Sequence, residues 1–313
     1  MFPVDWITQA AARIAPHITQ TPLIYDERFG VYLKCENQQV TGSFKARGAL
    51  NKVLALEAWE REAGLVAASA GNHGQGVALA ARLVNAPVTV FASEHASPLK
   101  LEKMRALGAE VRLVPGGYEQ AEAAGIAYAA EYGRTWVSPY NDAQVIAGQG
   151  TIGLEIARQI ALEPGWTIVA PVSGGGLIAG IGAVLAGRGL RLVGVQAAAS
   201  PFMHALFTRG TQDNVPDLPS LADGLTGAVE SGAVTIPLVQ SMVDEMILVD
   251  EDAIGRAVAY AWQAHHQVIE GSAAVTLAAV MEGRIRPPAV VVLSGGNILP
   301  ELHADLLKRY GGV

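Results

Sequence analysis

The feature that most constrains the fold is a repeated alternation of two patterns. Short runs rich in Val, Leu, Ile and Ala end in a glycine, Asn or Ser-Pro signal, and each is followed by an apolar segment of helical period. The runs are residues 64–69, 87–92, 110–114, 167–172, 191–195 and 289–293. Most are apolar at nearly every position rather than at every second one, which marks strands covered on both faces. Strands of this kind, joined through helices, build a mainly parallel sheet with helices on either side. One series fills roughly residues 52–140 and a second runs from about 141 to the end, with no Pro- or Ser-rich linker between them. We therefore expect an α/β chain of two open, mainly parallel, twisted sheets flanked by helices. Its large domain takes in residues 1–51 and 141–313, and its small domain residues 52–140.

Composition removes several classes of function. Hydrophobic residues are 50% of the chain and charged ones 16%, the opposite of a disordered balance. A net charge of −7 with no Lys/Arg block argues against nucleic acid and anionic membranes. The single cysteine, Cys35, has no internal partner, which fits a reducing cytoplasm. Met1 to Trp6 lacks the basic and apolar regions of a signal peptide. The uncharged stretch 164–187 has the length of a membrane span, but its glycines and Pro171 divide it into a strand, a glycine loop and a helix. Ser97-Pro98 reads as the cap and first residue of a helix running to Leu107, and Pro300 to Tyr310 reads as a last helix.

In open α/β sheets ligands bind beyond the carboxyl ends of the strands, so the strand-to-helix loops carry the search. The first is Ser69-Ala70-Gly71-Asn72-His73-Gly74, where backbone N–H groups at a helix start would hold an anion. Taken alone, it reads equally as an Asn-capped turn. The second, Ser173-Gly174-Gly175-Gly176-Leu177, suits a phosphate cradled by amides. Gly174-x-Gly176-x-x-Ala179 also fits a dinucleotide fingerprint, but Gln196 stands where an acid should hold the ribose, so a monophosphate fits better. The third, Ser294-Gly295-Gly296-Asn297, reads by itself as a turn. Lys45 alone reads as a surface charge at a helix start. Its neighbours in Ser43-Phe44-Lys45-Ala46-Arg47-Gly48-Ala49 argue instead for a partly apolar site, where the ammonium form is disfavoured as Schiff-base chemistry requires. No metal-ligand spacing, nucleophile elbow or P-loop is present in the sequence.

Together with Thr21-Pro22-Leu23, Lys34-Cys35-Glu36-Asn37 and Ile146-Ala147-Gly148-Gln149-Gly150-Thr151, these segments occur in one order from residue 21 to 297. The set resembles the pyridoxal-phosphate enzymes of fold type II (tryptophan-synthase β-like), specifically the threonine dehydratase/serine racemase group. The resemblance implies pyridoxal 5'-phosphate as cofactor and Lys45 as the residue that holds it and moves the Cα proton. It further implies Phe44 against the ring, Asn72 on the ring oxygen and Ser294 on the pyridine nitrogen. Backbone amides from Gly174 to Leu177 would hold the phosphate, with an added hydroxyl contact from Ser173. Ser69, Ala70, Gly71, Asn72 and His73 would take the substrate carboxylate. A hydroxyl at Ser294 leaves the pyridine largely unprotonated and favours prompt β-elimination.

The implied activity is deamination of L-threonine, and of L-serine, by α,β-elimination of water to 2-oxobutanoate or pyruvate and ammonia. The alternatives within the group are a serine or aspartate racemase and a β-hydroxyaspartate dehydratase. Serine racemases carry a serine where this chain has Ala70, and eukaryotic-type racemases bind a divalent cation through an acid where it has Gln196, so poor racemisation and no metal are expected. Glu270-Gly271 stands where Glu-Pro is common. The resemblance also implies a cytoplasmic homodimer or homotetramer in amino-acid metabolism, with isoleucine biosynthesis among its routes. The chain ends soon after Asn297, so an isoleucine-sensing domain is not expected.

Overall fold

Each of the six apolar runs forms a strand, shifted by no more than a few residues at its ends. The computed structural model describes residues 2–311. Its strands are β1 (Leu23–Asp26), β2 (Val31–Cys35), β3 (Leu65–Ala68), β4 (Val88–Ser93), β5 (Glu110–Val114), β6 (Thr135–Trp136), β7 (Thr167–Pro171), β8 (Arg191–Ala197), β9 (Glu245–Val249) and β10 (Ala289–Leu293). A six-stranded sheet has the order β1-β2-β10-β7-β8-β9, and a four-stranded sheet the order β5-β4-β3-β6. Every pairing is parallel except that of β1 with β2, a hairpin at the edge of the larger sheet.

Each sheet grows outward in one direction and then returns to the other side of its starting strand. In the larger sheet the chain runs β7, β8, β9 and comes back to place β10 beside β7. In the smaller it runs β3, β4, β5 and comes back to place β6 beside β3. Neighbouring loops at such a reversal diverge to opposite faces and leave a crevice between them. The loops after β3, β6, β7 and β10 all lie at these reversals. The residue 51/52 border falls inside the helix Lys45–Ala55, whose Ala46, Ala49, Leu50 and Val53 are buried in the core of the four-stranded sheet.

Glycines let the central helices meet backbone to backbone. A Cβ on Gly180 would lie 2.5 Å from Ile146 O and 2.6 Å from Gly150 N, so the helices Gly176–Leu185 and Ala143–Gln159 touch through their main chains. A Cβ on Gly148 would lie 2.5 Å from Arg47 O, which joins the helix bearing Lys45 in the same way. Gly180→Ala is expected to lower stability by about 1–3 kcal/mol by forcing these helices apart, as a thermal melt would register. The uncharged stretch is thus β7, a glycine loop and a buried helix. Among the described residues no helix is long and apolar enough to cross a membrane.

Candidate active site

Four strand ends converge on one cavity of about 270 Å³. All the site residues expected from the sequence line it: Phe44, Lys45, Ser69 to His73, Ser173 to Leu177, and Ser294. The segment before Lys45 is pinned to the loop after β10, because Phe44 N donates to Ser294 O (3.0 Å) and Ser43 forms a bridge with Gly295. Lys45 then opens its helix with its Nζ donating to Pro139 O (2.9 Å) and standing 5.2 Å from the centre of the Phe44 ring. What exposure Lys45 has is to the cavity, and its ammonium end is desolvated. Burial therefore pulls its pKa down to about 8, against an opposing attraction from Glu270.

The loop after β3 is not an Asn-capped turn. The helix begins at Asn72 itself, Gly71 is its N-cap, and no side chain caps it. The Asn72 side chain is engaged elsewhere, so the first backbone amides stay unspent beside the cavity. Likewise Ser97 precedes the helix Pro98–Ala106 without capping it through its hydroxyl. His73 is buried, and its Nε2 lies 2.8 Å from Val137 O. Burial, then the charge of Lys45, hold its pKa down to about 3, so the ring is neutral.

The loop after β7 is shaped by its glycines. Gly175 caps the helix Gly176–Leu185 in the left-handed region (φ 86°), and a Cβ there would meet Val239 Cγ2 at 2.9 Å. A Cβ on Gly174 would lie 2.3 Å from the Tyr140 ring, which is anchored by Glu230 N donating to its hydroxyl (2.8 Å). The cradle is therefore bare backbone walled by an aromatic ring.

Two groups around the cavity, Lys100 and Tyr118, are not named by any motif, whereas Glu270 is. Lys100 and Tyr118 both follow strand ends (β4 and β5) and so lay within reach of the same search rule. Lys100 Nζ donates to Asp223 Oδ2 (2.8 Å) across the mouth. Glu270 is buried, and desolvation, then repulsion from Asp223, push its pKa up to about 7. Behind Lys45 lies a buried ionic cluster. Arg47 is wholly buried and binds Glu36 through Nε (2.7 Å) and Nη2 (2.8 Å), and Glu155 through Nη1 (2.7 Å). Lys34, also buried, donates to Glu155 Oε2 (2.6 Å), Gln159 Oε1 (2.9 Å) and Thr21 O (2.9 Å). Cys35 is buried beside this cluster with its thiol pushed up to about 12 by desolvation.

Gln196 is buried, and its Oε1 accepts from His204 N (3.0 Å). Among the described residues no cluster of His, Cys, Asp or Glu is placed to hold a metal ion.

Residues 14–295 match the family model described as "Pyridoxal-phosphate dependent enzyme". The chain belongs to that family. Its cofactor is accordingly pyridoxal phosphate, and the residues present fit that group. A desolvated lysine, a glycine cradle for a phosphate and the Ser294 hydroxyl share one cavity. This pyridoxal-phosphate-dependent enzyme is 39% identical to the L-threonine ammonia-lyase of Geobacter sulfurreducens over 99% of this chain and 79% of the relative. Among solved structures it resembles maize serine racemase (TM-score 0.89, 30% identity, 98% of this chain and 97% of that one). It also resembles the processed form of threonine deaminase isoform 2 from Solanum lycopersicum (TM-score 0.87, 29% identity, 98% of this chain and 88% of that one).

Proposed function

We propose that the enzyme is an L-threonine ammonia-lyase that also accepts L-serine, releasing 2-oxobutanoate or pyruvate with ammonia. The observation that carries this reading is the sharing of one cavity by Lys45, the uncapped helix start at Asn72 and the glycine loop after β7. The similarity to relatives named threonine ammonia-lyase and threonine deaminase supports the substrate. The division of labour follows the two sheets: residues 1–51 with 141–313 hold the cofactor, and 52–140 bind the substrate carboxylate.

Pyridoxal phosphate, when bound, supplies the electron sink that makes the substrate Cα–H acidic. The chain would hold the cofactor, orient the substrate and move the Cα proton. Lys45 carries the cofactor and then moves the Cα proton, for which an amine with a pKa near 8 is matched to neutral pH. Phe44 supports one ring face and Asn72 donates to the ring oxygen. Ser294 meets the pyridine nitrogen with a hydroxyl. The amides of Gly174 to Leu177, with Ser173, receive the phosphate. In the Ser69–His73 loop the amides of Ser69 and Gly71 are spent on Phe91 O and Ser69 Oγ. Those of Ala70, Asn72 and His73 therefore orient the substrate by its carboxylate, and His73, being neutral, adds no charge there.

Racemisation needs a second proton carrier on the far face of Cα, and Ala70 has no proton to give. Incubation with L-serine is therefore expected to yield pyruvate and ammonia with little D-serine. Chiral chromatography that finds D-serine accumulating alongside pyruvate would favour the racemase reading, for which the serine racemase likeness is the support. Ammonia release from a panel of L- and D-hydroxy amino acids, β-hydroxyaspartate included, tests the substrate directly. The same reading makes the enzyme a cytoplasmic homodimer or homotetramer, which sedimentation resolves.

A further inference from the structure

One chain of hydrogen bonds runs back and forth between the helices of the four-stranded sheet and the loops of the six-stranded one, and passes through Asn72. Lys103 Nζ donates to Asn297 Oδ1 (3.1 Å). Asn297 Nδ2 donates to Thr41 O (2.8 Å) and to Asn72 Oδ1 (2.7 Å). Asn72 Nδ2 donates to Glu270 Oε1 (2.6 Å). An ammonium, which only donates, begins the chain, a carboxyl oxygen ends it, and the Thr41 carbonyl fixes the middle. Neither amide is therefore free to flip. Asn72 Nδ2 has two hydrogens and spends one on Glu270, so one remains.

Glu270 is arranged for this contact rather than for capping its own helix, and its carboxyl group also takes the backbone N–H of Asn297. It is the N-cap of the helix Gly271–Met281, where a carboxylate ordinarily accepts from the amides of its own helix, yet it makes no such bond. Its backbone N–H is tied to Gly295 O (3.0 Å). A Cβ on Gly295 would stand 2.5 Å from Glu270 Oε1, so that glycine leaves the carboxyl group its space. Burial lifts its pKa to about 7, a strain on folding that points to a use.

We propose that Glu270 is a positioning residue: it fixes which end of the Asn72 amide donates and leaves the second Nδ2 hydrogen for the ring oxygen of pyridoxal phosphate. The proposal rests on the role given to Asn72 above. It is tested by titrating pyridoxal phosphate into the cofactor-free wild type, Glu270→Gln, Glu270→Ala, Asn72→Ala and the Glu270→Ala/Asn72→Ala double variant. The readouts are the dissociation constant and the absorption maximum of the bound cofactor.

Glu270→Ala is expected to weaken binding about tenfold, the scale of one charge-assisted hydrogen bond, and to move the absorption maximum as Asn72→Ala moves it. Glu270→Gln, whose amide oxygen still accepts from Asn72, restores both. In the Asn72→Ala background, Glu270→Ala costs less than about twofold, because the two act as one unit. Wild-type binding and spectrum in Glu270→Ala overturn the proposal, as does an equal loss with and without Asn72. Should Glu270→Ala not fold, Asn297→Ala, which frees the other end of the amide, must move the absorption maximum in the same way, and an unmoved maximum overturns the proposal. Wild-type behaviour of Asn72→Ala removes both the role of Asn72 and this proposal. Normal cofactor results without ammonia from threonine fail only the substrate reading.

Discussion

Lys45→Ala is expected to cut ammonia release from L-threonine by about 10⁴-fold or more and to abolish the visible absorption of the purified enzyme. Retained turnover, or retained colour resistant to dialysis, would remove Lys45 from the role given to it. The same lysine makes a second, opposite prediction for the cofactor-free protein. Its pKa is about 8 in the folded state against an ordinary 10.5, because burial disfavours the charge. A base depressed in this way costs the fold nothing above pH 10.5. The cost grows as pH falls toward 8 and is full below it. At pH 7 the cost is about 2–3 kcal/mol, allowing for its contact with the cavity. Lys45→Met, which keeps the packing of the stem, should therefore melt above the cofactor-free wild type at neutral pH. The advantage should fade as pH approaches 10.5.

Arg47→Met should be the most destabilising single change near the site, by about 3–5 kcal/mol. The guanidinium satisfies both oxygens of Glu36 and one of Glu155 within a region closed to water. Its pKa is raised because attraction from those carboxylates outweighs burial. Removing it leaves Glu155 with Lys34 and Glu36 with only the Thr21 hydroxyl, and the uncompensated charge, rather than a lost contact, sets the size of the effect. Arg47→Lys should recover only part of it, since an ammonium cannot bind Glu36 through two parallel bonds. Denaturant midpoints of the two variants measure this. A shift under about 1 kcal/mol for Arg47→Met would mean that the acids find other partners.

The parts of the molecule that the sequence makes legible are those where one residue type has one use. Strands buried on both faces are continuous apolar runs, so β3, β4, β7, β8 and β10 stand out. Glycines at strand ends are visible because the loops they build need bare backbone, as at Gly174 and Gly175. A charged residue taken alone reads as surface, so Glu155 escapes notice, and the motif that contains Lys34 and Glu36 does not reveal the buried ion pairs that the fold builds around Arg47. Strand β2 is hidden for the same reason, since Lys34 interrupts its pattern although it is wholly buried. Asn72 illustrates the other limit. Its position at a helix start suggests a cap, but its partners, Glu270 at the start of another helix and Asn297 in the loop after β10, are distant in sequence and leave no local trace.

The pairing of β2 with β10 has a consequence for the order of events during synthesis. Val31 is paired in register with Ala289, so β2, which finds β1 at once as a hairpin partner, waits for the last strand described before it gains its second neighbour. The segment carrying Lys45 waits too, because Phe44 is held by the backbone of Ser294. On a ribosome the chain would expose an unpaired β2 edge through most of its translation, and contacts of such long range close slowly. The cofactor site is therefore among the last features to be completed. Unlike the four-stranded sheet, whose strands span a single stretch of chain, it draws on segments from both sides of that stretch.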